Sequence, residues 1–260
     1  YFFTFLKNMK KILITSIGRT GTKSLAYFLD DISGVQCFHH KEGNKDLPFL
    51  FLSQLKDYSN ITTDYLKKRN KVAEKAKTNF YIEVNPYFRF ANTEILQKLG
   101  WKKIFIVRHP KSYLESVYKR TLFTDEDYII NQYPNDDDPF SEKWNTITRF
   151  EKLCWYYKKV HEYILDTETP FYRFEDLVKK PDTLKSLVET IGIDTSKINS
   201  FKLPKRNTSK QNKFRHVIKA GLRGKATKVS PLIWSSLTAK EKETYETHCL
   251  PLAKRLGYVL

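Results

Sequence analysis

The stretch Lys11–Leu25, KILITSIGRTGTKSL, decides how the rest of the chain is read. Its apolar run Ile12–Ile14 reads as a short buried strand that breaks at Gly18 and Gly21. It then continues into a helix whose apolar residues are Leu25, Tyr27, Phe28 and Leu29. A strand, a glycine-bearing turn rich in hydroxyl and basic side chains, and a helix N-terminus together suit a phosphate. The turn aims backbone N–H groups at an anion, and the helix dipole adds partial positive charge.

Outward from that stretch the same alternation recurs. Gly34–Phe38 (GVQCF), Phe80–Val84 (FYIEV), Lys103–Val107 (KIFIV) and Phe171–Phe174 each read as a short strand. Asn85-Pro86 stops the third, because proline has no N–H for the ladder. Helices are predicted over 92–99, from 110 to about 120, over 181–191 and over 238–256. A long amphipathic helix is predicted where Trp144, Ile147, Phe150, Cys154, Tyr157, His161 and Ile164 recur at helical spacing. Its aromatic residues read as core rather than as a binding platform. Residues 43–78 are lysine-rich and read as peripheral helix and loop, 124–143 as exposed loop, and 199–230 as basic and poorly patterned. Short buried strands alternating with helices predict an α/β fold, a single domain with a central parallel sheet flanked by helices.

Composition narrows the partners. The chain has 260 residues, 40% of them hydrophobic, which supports a sizeable core and excludes global disorder. Its 46 basic residues against 29 acidic ones favour a polyanionic partner: nucleic acid, anionic glycan, membrane surface or a phosphorylated cofactor. Cys37, Cys154 and Cys249 have no metal-type spacing, and their odd number argues against a disulfide framework. A reducing, cytoplasmic setting is the expectation. No apolar run approaches the ~20 residues of a membrane span. Met9 precedes the first strand directly, so residues 1–8 read as an upstream remnant, with a truncated membrane anchor as the rival reading.

Ligands of an open parallel sheet bind at the carboxyl ends of its strands. After the first strand come Gly18, Arg19, Thr20, Gly21, Thr22, Lys23 and Ser24; after the second, His39, His40 and Glu42, expected beside the first loop. Glu83, Asn85 and Tyr87 flank the end of the third. Arg108, Ser112 and Ser116 follow the fourth, and Arg173, Glu175 and Asp176 surround the end of the fifth. One alternative is a P-loop kinase or NTPase, suggested by Gly21-Thr22-Lys23-Ser24. Such a loop needs glycine directly before Lys-Ser/Thr, and Thr22 intervenes here. The fourth strand also ends in Val107-Arg108-His109 where an NTPase would place an aspartate for its metal. A third alternative, a nucleic-acid-binding module, rests on the +17 charge alone, with no groove-reading motif beside it.

Taken in order, these residues resemble the sulfotransferases that use 3′-phosphoadenosine 5′-phosphosulfate (PAPS). Gly18-Arg19-Thr20-Gly21-Thr22-Lys23-Ser24-Leu25 is similar to that family's loop for the 5′-phosphosulfate. Arg108-His109-Pro110, with Ser116 eight positions after Arg108, is similar to its clamp on the 3′-phosphate. Arg173-Phe174-Glu175-Asp176-Leu177 resembles its Arg-Tyr-Glu-Asp-Leu, with phenylalanine for tyrosine. Arg19 stands where many cytosolic members have lysine and where members acting on carbohydrates often have arginine. Gly221-Leu222-Arg223-Gly224-Lys225 loosely echoes its basic C-terminal loop. Of only nine glycines, four fall at 18, 21, 221 and 224, in basic contexts.

The resemblance implies a P-loop-like sulfotransferase fold and metal-independent, in-line transfer of a sulfuryl group from PAPS. The acceptor would be a hydroxyl or amine of a carbohydrate or small molecule. It assigns Gly18, Arg19, Thr20, Gly21, Thr22, Lys23, Ser24, Arg108 and Ser116, with Arg223, Gly224 and Lys225, to PAPS. Arg19 would be the catalytic cation. His39, His40 or Glu42 would be the base, the histidines favoured because imidazole titrates nearest neutrality, with Glu83 as an outside candidate.

Overall fold

Five strands, all parallel, form the sheet of the computed structural model, which describes residues 9–127, 132–204 and 230–259. They are β1 (Lys10–Ser16), β2 (Val35–His39), β3 (Phe80–Val84), β4 (Trp101–Val107) and β5 (Phe171–Arg173), in the order β2-β3-β1-β4-β5. The α/β expectation therefore holds. β1 is central, with Ile14 opposite Val84 on one side and Ile104 on the other. The order differs from expectation in one respect: β3 lies between β2 and β1. Both edges of β1 are taken by β3 and β4, so β2 pairs at the outside.

The helices among the described residues are, in chain order, α1 (Thr22–Asp30), α2 (Leu47–Leu52), α3 (Ser59–Ala73), α4 (Thr93–Lys98) and α5 (Pro110–Val117). Then follow α6 (Arg149–Asp166), α7 (Phe174–Lys179), α8 (Pro181–Ile191), α9 (Ala239–His248) and α10 (Leu250–Arg255). These residues group into two compact units. The first takes the described residues of Tyr1–Val107 with Glu162–Leu203, the second those of Arg108–His161 and Pro204–Leu260.

The first unit holds the whole sheet. Strand side chains alternate between its faces, and each face has a core. Ile12 and Ile14 pack with Leu25 and Leu29 of α1 and with Leu184, Leu187 and Val188 of α8. Leu13 packs on the other face with Phe49 of α2, Leu66 of α3 and Leu96 of α4. Covering both faces explains why β1 is buried continuously from Ile12 to Ser16 instead of alternating.

The second unit is helical. Phe150, Trp155, Tyr156 and Tyr157 of α6 are buried in it, as expected of core aromatics. Arg149 donates to the carbonyls of Leu122 (2.7 Å) and Tyr118 (3.1 Å) just beyond α5. Helix α6 starts at Arg149, later than the run from Trp144 suggested, because Thr148 and Glu151 close its first turn on each other's backbone N–H. The terminal helix is two: Pro251, lacking an N–H, restarts the chain as α10 after Cys249. Thr238 begins α9 with a capping box to Glu241. Likewise, the fifth strand ends at Arg173, and Phe174 already belongs to α7.

Candidate active site

The loop between β1 and α1 is built on left-handed backbone. Gly18, Arg19 and Gly21 have φ of 94°, 59° and 66°. Glycine adopts this region freely, whereas an arginine there is strained by roughly 1–2 kcal/mol, a feature that collects at functional sites. Gly18 N–H donates to Ser16 Oγ at 3.1 Å, closing the turn. Gly21 then caps α1 without a side-chain hydrogen bond, and the first turn of α1 carries no acidic residue. A helix start with no side-chain cap and no acidic residue suits an anion. Arg19 is exposed and Lys23 and Ser24 are half-buried. Thr20 is buried, and its Oγ1 has no hydrogen-bond partner. A hydroxyl in that position costs on the order of 1–3 kcal/mol until it finds an acceptor. A buried orphan hydroxyl among uncapped N–H groups fits a phosphate.

Gly21 also answers to a second motif. A Cβ there would overlap the ring edge of Phe174, with Cδ2 and Cζ also close, at 3.1 and 3.2 Å. The Arg173-Phe174-Glu175-Asp176 segment thus backs the loop directly. Arg173 Nε donates to Asp176 at 2.6 Å, and Lys180 joins the same carboxylate at 3.0 Å, which holds its pKa down.

His39 reaches the loop despite lying on the outer strand: its Nε2 is 3.1 Å from Thr22 Oγ1. His40 packs against it with the rings tilted, centroids 4.3 Å apart, and meets Tyr87 edge-on at 4.8 Å. His40 is another left-handed non-glycine residue, φ 51°. Burial pushes His39 down to about 3, helped by His40 and Lys23. Burial likewise brings His40 to about 4, with Arg89 lowering it further and Asp46 opposing. Both rings are neutral at pH 7.

The acidic candidates are engaged differently. Glu42 faces Arg69 at 3.6 Å. Glu83 is buried, accepts from Tyr81 Oη at 2.9 Å and lies 3.7 Å from Arg69 Nε; its pKa is raised by burial, against the pull of Arg69. Arg69 also pairs closely with Asp46, which is fully buried and accepts from Tyr65 (2.6 Å) and Asn85 (2.7 Å). Sequence reading passed over Asp46 and Arg69 as part of a lysine-rich periphery. A signal was present: Leu66, Arg69, Asn70 and Ala73 form one buried stripe on α3 at helical spacing. Arg89 was also passed over. It is buried and donates to the Ile17 carbonyl at 2.9 Å.

In the second unit, Arg108 Nε donates to Ser112 Oγ at 3.1 Å, and its carbonyl accepts from Tyr157 Oη at 2.9 Å. Ser116 lies one helical turn beyond Ser112 on α5. Ser112, which the spacing did not single out, thus bonds Arg108 directly. Arg223, Gly224 and Lys225 lie outside the described residues. Among the described residues, no group of three or more His, Cys, Asp or Glu could hold a metal ion, and no helix is long and apolar enough to cross a membrane.

No family model and no curated protein matches the chain. Several solved structures do. The chain is similar to the sulfotransferase domain from the curacin biosynthetic pathway, at 15% identity, over 97% of this chain and 99% of that one, with a TM-score of 0.47. It is similar to mouse sulfotransferase SULT7A1 complexed with PAP, at 15% identity, over 94% and 85%, with a TM-score of 0.45. It is also similar to retinol dehydratase in a complex with retinol and PAP, at 15% identity, over 98% and 84%, with a TM-score of 0.41.

Proposed function

We propose that the chain is a PAPS-dependent sulfotransferase acting on a hydroxyl or amine of a carbohydrate or small molecule. The observation that carries this reading is the loop Gly18–Ser24. It follows the central strand, turns through left-handed Gly18, Arg19 and Gly21, and buries an unpartnered Thr20 hydroxyl beside uncapped helix N–H groups. When bound there, PAPS supplies an activated sulfuryl group on its 5′-phosphate.

The loop N–H groups with Thr20, Thr22 and Ser24 hold the 5′-phosphate. Arg19 stabilises negative charge developing on the oxygens around sulfur, and as a permanent cation it does so without giving up a proton. Arg108 and Ser116 hold the 3′-phosphate, with Ser112 orienting Arg108 through its 3.1 Å bond. Lys23 adds a further cation.

His39 is the base this reading favours, since its Nε2 bonds a loop hydroxyl, that of Thr22. Its neutral imidazole is available at pH 7, and anionic charge held at the loop raises its basicity. His40 packs against it and supports its orientation. Glu42 and Glu83 are held by Arg69.

Calorimetric titration with 3′-phosphoadenosine 5′-phosphate (PAP), run without magnesium, tests the assignment. Micromolar or tighter binding is expected, and no heat of binding would overturn it. Magnesium-dependent ATP binding in the same cell would favour the kinase reading instead.

A further inference from the structure

We propose that Arg89 is a positioning residue of the first loop: a buried guanidinium that fixes the Ile17 carbonyl beneath it and gives the loop a positive floor. The loop's anionic ligand is taken from the proposed function; the anchoring is read from contacts alone. Arg89 is 3% exposed, and its Nη1 and Nε donate to the carbonyls of Ile17 (2.9 Å) and Pro86 (2.7 Å). The Ile17 carbonyl belongs to the peptide plane that leads into Gly18 and Arg19, at φ 94° and 59°. Fixing that plane sets where the turn begins and so where Arg19 emerges. The segment carrying Arg89 is itself bound to β1: Thr15 Oγ1 donates to the Asn85 carbonyl at 2.9 Å, and Asn85 N–H donates to Ile14 at 2.9 Å.

A guanidinium also brings a permanent charge to that position, under the start of the loop, and its neighbours respond to it. Burial does most to keep His40 neutral; of its charged neighbours, Asp46 favours its protonation and Arg89 opposes it, and the rings of His39 and Tyr87 pack against it. A field that disfavours a cation at His40 favours an anion at the adjoining loop.

The test uses Arg89→Lys, Arg89→Gln and Arg89→Met in the full chain. Two readouts are taken: PAP affinity by calorimetry, and the His40 ring signal by NMR across pH 5 to 8. Removing a charge-assisted bond and its field should weaken PAP about tenfold to a hundredfold in the Gln and Met variants. Lysine should recover part of that loss. His40 should begin to titrate at higher pH in the Gln and Met variants and stay as in the wild type with lysine; lysine and methionine fill similar space, so that difference reads charge rather than packing. Unchanged PAP affinity together with an unmoved His40 overturns the proposal. Wild-type protein that binds no PAP refutes the function instead, and the His40 titration still decides for or against Arg89. If the Met variant does not fold, the Gln and Lys pair carries the same comparison.

Discussion

Replacing Gly21 with alanine probes the contact on which the loop rests. Two costs follow from the structure. The φ of 66° asks an L-residue to enter the left-handed region, roughly 1 kcal/mol. The new methyl also overlaps Phe174, a partly buried ring packed against the core cluster that holds Ile14, Leu25 and Leu177. Overpacking of that kind typically costs about 1–3 kcal/mol. Gly21→Ala should therefore lose about 2–4 kcal/mol in urea denaturation and weaken PAP binding as the loop shifts. A double-mutant cycle separates the two costs. In a Phe174→Leu background the overlap is relieved while the backbone cost stays, so the alanine penalty should fall to about 1 kcal/mol. An equal penalty in both backgrounds would refute the claim that Phe174 backs the loop. So would a single variant as stable as the wild type.

Three further outcomes are expected. Arg19→Ala should lower transfer by about a hundredfold or more with the circular dichroism spectrum unchanged, as for loss of a preorganised charge-stabilising donor; near-normal turnover would remove Arg19 from catalysis. The two histidines should make stability fall with acid. Their folded values, about 3 and about 4, lie below the ordinary 6.5, so between about pH 4 and 6.5 the unfolded chain binds more protons and stability rises with pH. At pH 5 each costs about 2 kcal/mol relative to pH 7, and His40→Gln should flatten the slope by its share; an unchanged slope counts against the burial of His40. Asp46→Ala should destabilise by about 3–5 kcal/mol in denaturant, since it leaves buried Arg69 only its longer contacts to Glu42 and Glu83 and takes the acceptor from Tyr65 and Asn85, whereas a loss below 1 kcal/mol would mean the network is solvated.

Much of the sheet was legible because its strands are short apolar runs stopped by Gly, Pro or polar residues. Phe80–Val84 was read with its observed bounds, stopped by Asn85-Pro86, as was helix Pro181–Ile191, which begins at a proline and ends at a left-handed glycine. The first loop was legible for a different reason: glycine is scarce in this chain, so a pair in a basic turn carries information. What could not be read was long-range. Strand order depends on which edges of β1 are taken, and nothing local in β2 says that it will pair with β3. The break at Cys249 was readable from Pro251, yet one helix was read straight through it. Arg69 and Asp46 were missed because charged side chains are assumed to face water. Here each is buried by the other, and only the helical stripe on α3 betrays it.

The segment after β3 explains how an outer-strand histidine and a central-strand loop come to lie together. Asn85 is fully buried, and each of its polar groups has a different errand. Its N–H and carbonyl bind β1 through Ile14 and Thr15. Its Nδ2 binds Asp46, the carboxylate paired with Arg69, while its Oδ1 caps the turn that presents Tyr87 to His40. Four residues on, Arg89 holds Ile17. One short turn therefore fixes the start of the loop after β1, the ring beside His40 and the ion pair behind it. β3, lying between β1 and β2, leads directly into that turn. On this geometry the exchange of positions between expected and observed strand order is not incidental. A histidine on a strand adjacent to β1 would need no such intermediary, whereas one on the second neighbour does.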